Sequence, residues 1–202
     1  MVKRRMEQEH GFTMTELMLA IAIALIVVGM AVGGVPGMIK TTRADGGLAI
    51  AASGLRAARE MAISSRRNVR VVFASNTITN VRVEFCSGSC TPALTTVRTT
   101  TLEGRVVFRE PVNITPDTGD AFGKTATNGI NLGGGTCTSA NTTACPMFTT
   151  DGSFINSSGD VQNGTVFLGV PNEVITTRAI SIFGPTGAMR LWKWDGRAWV
   201  EV

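Results

Sequence analysis

The residues best placed to do chemistry stand at the head of the chain. The run Gly11-Phe12-Thr13-Met14-Thr15-Glu16 joins an eleven-residue polar, basic head to an abruptly apolar stretch. Residues 17–35 then pass nineteen positions without a charge, long enough to span a bilayer as a helix. Glu16 is therefore a carboxylate at the edge of an apolar segment. An acid that enters hydrocarbon costs roughly 3 kcal/mol, and an intramembrane acid is a functional candidate by default.

The second set is four cysteines, Cys86, Cys90, Cys137 and Cys145. An even count in a domain exported from the cytoplasm points to disulfides. The close spacing favours two local bridges, Cys86–Cys90 and Cys137–Cys145, although four cysteines allow three connectivities. Zinc is the competing reading of the C-x3-C pair. The seven-residue gap in the second pair fits zinc poorly, and the single histidine, His10, lies in the head. No metal or cofactor is expected. With His10 in the head, no histidine-based triad is available to the rest of the chain, and no P-loop, dinucleotide fingerprint or H-E-x-x-H occurs. The chain offers no catalytic set and is not read as an enzyme.

The elements that would position these residues follow from pattern. Lys3, Arg4 and Arg5 precede the apolar run, so the amino terminus should face the cytoplasm and the remainder should be exported, in a single pass of the inner membrane. Leu48, Ala52, Leu55 and Ala62 recur at helical spacing. One long helix is expected to end near Ser64 or Ser65, with weak points at Gly33, Gly34, Pro36, Gly37 and the pair Gly46-Gly47. From Asn68 the period changes to two. Strands are expected at 69–74, 79–85, 95–102, 105–109, 165–170, 178–183, 189–194 and 198–202, with brief ones near Ile130 and Phe148. The 202 residues leave room for one soluble domain rich in Gly, Thr, Ser and Asn and without tyrosine, a composition of short strands and turns. The fold class is α+β: a long amino-terminal helix packed on an antiparallel β domain of two small sheets. Residues 1–11 form a head, 12–39 a transmembrane and assembly helix, 40–67 its amphipathic continuation and 68–202 the exported domain.

The last hairpin can be read in register. A two-residue Asp195-Gly196 turn sets Trp194 opposite Arg197, Trp192 opposite Trp199 and Arg190 opposite Glu201. Three tryptophans and two arginines then share one face, with Lys193 on the other. The opposite face, with Met189, Leu191, Ala198, Val200 and Val202, is the better core face. Arg190, Lys193 and Arg197 beside Trp192, Trp194 and Trp199 are the ingredients of a nucleic-acid surface; the competing reading is an internal cluster of cation–ring and ion-pair contacts.

The head itself, a short basic leader ending in Gly11, then Phe12, then Glu16 as the fifth residue of a mature chain, resembles the type IV prepilin signal. The segment Leu55-Arg56-Ala57-Ala58-Arg59-Glu60-Met61-Ala62-Ile63 running into Val69-Arg70-Val71-Val72-Phe73 is similar to the H-type pseudopilin of type II secretion and the FimT minor pilin. Phe148-Thr149-Thr150-Asp151-Gly152 resembles a second motif of that group. Gly187-Ala188-Met189-Arg190 matches only part of a third, Gly-Arg-x-Arg. The resemblance implies that prepilin peptidase cuts between Gly11 and Phe12 and methylates the Phe12 amine. Glu16 would then pair with that amine, on a neighbouring subunit or its own, and set registry among packed helices. The implied partners are other pilins or pseudopilins, and the implied function is a minor subunit of a type IV pilus or a type II secretion pseudopilus. Two alternatives stand beside it: a DNA-capturing minor pilin, and an unrelated bitopic membrane enzyme. Some FimT-like pilins use the late basic motif for DNA, and Ala188 stands where its first arginine is expected.

Overall fold

The computed structural model describes residues 12–84, 94–122, 129–132 and 145–202, without the side chains of 31–36. It divides into two units, the first ending at Ile39 and the second running Lys40–Val202.

One helix, α1 (Met14–Ser65), occupies 52 residues. Thr13 caps its start: its hydroxyl accepts the Glu16 backbone N–H at 3.3 Å and its carbonyl accepts the Leu17 N–H at 3.1 Å. A Ser or Thr hydroxyl in that place satisfies one of the four donors a helix start leaves open. The end is a two-bond Schellman closure, with Arg66 N–H donating to Ile63 O at 3.3 Å and Arg67 N–H to Ala62 O at 3.2 Å. Arg66 takes the left-handed conformation (φ +50°) that glycine usually fills there. This sharp stop turns the chain into the first strand three residues later. Pro36 and Gly46-Gly47 do not interrupt the helix.

Two antiparallel sheets follow. The first has five strands in the order β3-β2-β1-β6-β7, with β1 Val69–Ala74, β2 Thr77–Val83, β3 Leu94–Thr101, β6 Met147–Phe148 and β7 Phe154–Ile155. The second has six, in the order β11-β10-β9-β8-β4 with β5 also on β8. Its strands are β4 Val107–Phe108, β5 Ile130–Asn131, β8 Gly164–Gly169, β9 Arg178–Phe183, β10 Ala188–Trp194 and β11 Trp199–Glu201. The helix-then-two-sheets α+β class expected from pattern is the class observed.

Within the second unit one core joins the helix to both sheets. Leu48, Ala51, Ala52, Leu55, Ala58 and Ala62 form a buried stripe on α1, against Val69, Val71 and Phe73 of β1 and Val166, Leu168, Ile180 and Ile182 of β8 and β9. Alanine at four of the six positions allows close approach. Gly47 belongs to the same logic. A Cβ there would lie 2.8 Å from Val106 Cγ1, so this glycine is a packing site and not the weak point expected.

Polar contacts tie α1 to the sheets at its first buried turns. Arg178 at the start of β9 donates from Nε to Asp45 Oδ1 at 2.7 Å, and from Nη1 to Ile175 O and Thr177 O at 2.9 and 3.0 Å. Its side chain is only 4% exposed, so the carboxylate and two carbonyls satisfy a buried guanidinium. Lys40 pairs with Glu173 alongside. Further along, Asn80 of β2 donates to the Gly54 carbonyl at 3.0 Å.

Candidate functional site

In the first unit Phe12 is 81% exposed and Glu16 stands on the first turn of α1. Leu17, Ile21, Leu25 and Val28 are all more than half exposed. A helix start favours a carboxylate through its dipole, so α1 by itself holds Glu16 comfortably while leaving an apolar surface uncovered. Gly11 lies outside the described residues. Among the described residues no helix is long and apolar enough to cross a membrane; the apolar run over residues 17–35 extends into positions 31–36, whose side chains are not described.

In the second unit, three sequence segments far apart in the chain meet at Arg59. The turn between β6 and β7 is closed by Thr149 N–H donating to Ser153 O and Gly152 N–H donating to Thr149 O, both at 2.9 Å. Asp151 caps that turn. It accepts the Thr149 hydroxyl, the Ser153 N–H at 3.1 Å and the Ser153 hydroxyl at 2.9 Å. These donors, the Thr149 hydroxyl foremost and then the Ser153 amide, hold the Asp151 carboxyl down at about 2, against an ordinary 3.8. Arg59 of α1 donates from Nε to the Gly152 carbonyl at 3.3 Å. Gly152 (φ +85°) has room for no side chain, because a Cβ would fall 2.9 Å from Ile63 Cδ1 and 3.2 Å from Arg59 Nε. Gly187 (φ +64°), in the turn between β9 and β10, presses on the same point. A Cβ there would lie 2.3 Å from Gly152 O and 3.0 Å from Arg59 Cδ. The arginine-bearing helix segment, the Thr-Thr-Asp-Gly turn and the late glycine thus form one junction. Arg56, Glu60, Ala188 and Met189 complete a cleft of about 180 Å³ beside it. Sequence reading found each segment and missed their convergence.

The hairpin register differs from expectation. Trp194 pairs with Trp199, Lys193 with Val200 and Trp192 with Glu201, two residues from the predicted alignment. The cause is Asp195, whose side chain accepts the Arg197 and Ala198 N–H groups, both at 2.7 Å, while its own N–H donates to Ala198 O. These bonds make a four-residue loop of 195–198, take Arg197 out of the ladder and hold the Asp195 carboxyl below its ordinary value, Ala198 N–H first. A two-residue shift keeps each side chain on its face. Arg190 still reaches Glu201, at 3.9 Å and with its side chain 60% exposed.

The hairpin is covered on the face expected and on the other face as well. Met189 and Leu191 pack on the main core only partly, whereas Trp192 is 7% exposed in a second cluster with Phe167 and Ala179. The reason is a loop that alternation does not reveal. Gly119 lies against the Trp192 ring. Trp192 Nε1 donates to Ser181 Oγ at 2.9 Å, and Ser181 donates on to Asp120. Trp199 Nε1 donates to Thr115 O at 2.8 Å, and its ring packs on Phe167 and Trp194 at centroid distances of 5.8 and 5.6 Å. Two of the three indole N–H groups are thus consumed internally. Lys193 and Arg197 are exposed.

Cys145 is fully buried beside Val72 and Val81 and is not a free thiol. Cys86, Cys90 and Cys137 lie outside the described residues, as does the partner of Cys145.

The prokaryotic N-terminal methylation motif matches residues 6–32. No curated protein matches the chain. Among solved structures, the minor pseudopilin EpsH from the Type 2 Secretion System of Vibrio cholerae is similar over 69% of this chain and 87% of its own, at 12% identity and a TM-score of 0.36. The chain thus joins a prokaryotic N-terminal methylation motif at its head to a long helix that leads into two antiparallel sheets.

Proposed function

We propose that the protein is a minor pilin or pseudopilin, cut between Gly11 and Phe12, methylated on the Phe12 amine and assembled through α1 into a type IV pilus or a type II secretion pseudopilus. The observation that carries the reading is the methylation motif over residues 6–32, running without a break into a helix whose exposed apolar side chains are accompanied by Glu16 as the sole charge between Phe12 and Ile39. In the bilayer that surface faces lipid. In a filament it faces other helices, where a paired Glu16 and Phe12 amine fix the stagger, because leaving either charge unpaired in low dielectric is costly. A subunit contact of this head-to-tail kind does not close and so builds a fibre. The basic head stays cytoplasmic and the β domain is periplasmic until assembly.

Mass spectrometry of the mature protein from its native membrane tests this. The expected amino terminus is Phe12 bearing one added methyl group. A mature chain beginning at Met1, or beyond Val35, would falsify the assignment. For the choice between secretion and pilus, co-purification of secretion-complex proteins against pilus proteins with the cross-linked filament is the discriminating result.

A further inference from the structure

Four ion pairs form among the described residues: Lys40–Glu173, Arg82–Glu84, Arg178–Asp45 and Arg190–Glu201. Arg56 and Arg59 belong to none of them. Arg59 is half-buried in the junction between α1 and the two turns. It is held there by its Nε bond to the Gly152 carbonyl and by the close approach of Gly187. Its two Nη groups make no bond among the described residues. Arg56, three residues earlier, shares its helix face, and both line the 180 Å³ cleft. A guanidinium that is pre-positioned, partly desolvated and in no ion pair among the described residues can accept an anion, even with Glu60 lining the same cleft.

We infer that this cleft receives a single carboxylate, supplied by an acidic side chain of another filament subunit; the inference rests on the pilin reading above. The cleft is smaller than the roughly 300–1,000 Å³ typical of small-molecule sites, so it suits one side chain and not a nucleotide. Met189 and Ala188 give the wall against which the methylenes of Glu or Asp lie. Glu60 at the same cleft, and Asp151 on the adjoining turn, oppose a polyanion such as DNA. A lone carboxylate can be taken by the two forked donors together.

The test uses the full chain, produced with its co-assembling subunits in the native host and carrying a photo-cross-linking residue in place of Ala188. The expected adducts are peptides of one partner subunit, centred within a few residues of an Asp or Glu. Arg59→Lys keeps the charge but loses the fork, and should lower adduct yield several-fold with processing at Phe12 unchanged. Arg59→Glu should abolish the adducts, and changing the partner's acid to Arg should restore them. Adducts remote from any acid, adducts to nucleic acid, yields insensitive to Arg59→Lys, or no rescue by the charge swap overturn the inference while leaving the pilin reading intact. An unprocessed chain absent from filaments overturns both.

Discussion

The α-carbon hydrogen of Gly187 points at the carbonyl of Gly152, and a methyl group in its place would stand 2.3 Å from that oxygen. The two turns on which these glycines sit belong to different sheets, and Arg59 of the helix lies against both. Helix and sheets therefore meet at a point where no side chain can be inserted.

Replacing Gly187 by Ala should destabilise the fold by roughly 1–3 kcal/mol, from left-handed backbone strain combined with displacement of a carbonyl. Gly159→Ala is the control. Gly159 also has positive φ (+93°) but faces open space, so it should cost less. Denaturant unfolding of the two variants in detergent measures the difference, and equal losses would show that the close approach contributes nothing.

Acid should loosen the Thr149–Ser153 turn in a defined window. The folded Asp151 carboxyl sits at about 2, below its ordinary 3.8. A depressed carboxylate stabilises the fold fully above the higher value, and that contribution disappears as pH falls through the lower one. Melting curves between pH 4 and 2 should show the loss, and Asp151→Asn should make that limb shallower while lowering the melting temperature slightly at neutral pH. An unchanged acid limb in the variant would remove Asp151 from the account.

The tryptophan face should behave as core, not as a ligand surface. Ser181→Ala takes away the acceptor of Trp192 Nε1 and the donor to Asp120, a loss of about 1–3 kcal/mol for stranded buried groups. The double variant Arg190→Ala with Arg197→Ala should unfold within about 1 kcal/mol of the parent, since Arg190 makes only an exposed pair. A DNA titration at two salt concentrations should not distinguish that double variant from the parent. Weaker binding with a flatter salt dependence would instead make the arginines phosphate contacts.

Non-reducing peptide mapping should find Cys86 linked to Cys90 and Cys137 to Cys145. Each bridge closes a short loop and should add on the order of 2 kcal/mol. A Cys90–Cys137 peptide, or free thiols, would defeat the pairing.

How much of this was legible beforehand depends on the range over which each feature is decided. The helix stripe Leu48–Ala52–Leu55–Ala62 is local, and all four residues are buried. The alternation of Val69, Val71 and Phe73 is equally local and is the inner face of β1. The hairpin register failed because Asp195 can turn its side chain onto two following amides, and an Asp-Gly pair does not say whether it will. The burial of Trp192 failed because the surface that covers it comes from residues near Gly119, far away in sequence. Arg178 gave no signal at all: an arginine leading an apolar strand looks like a solvated edge until Asp45 is brought to it.

That last pair has a further meaning. The Arg178 side chain is nearly sealed from water, and Asp45 on α1 is its one anionic partner. Lifting the helix off the sheet would leave the Arg178 guanidinium on the Ile175 and Thr177 carbonyls alone, without its carboxylate. A half-detached helix is thereby disfavoured relative to the joined one. The ion pair thus links the docking of the helix to the satisfaction of a charge buried in the sheet.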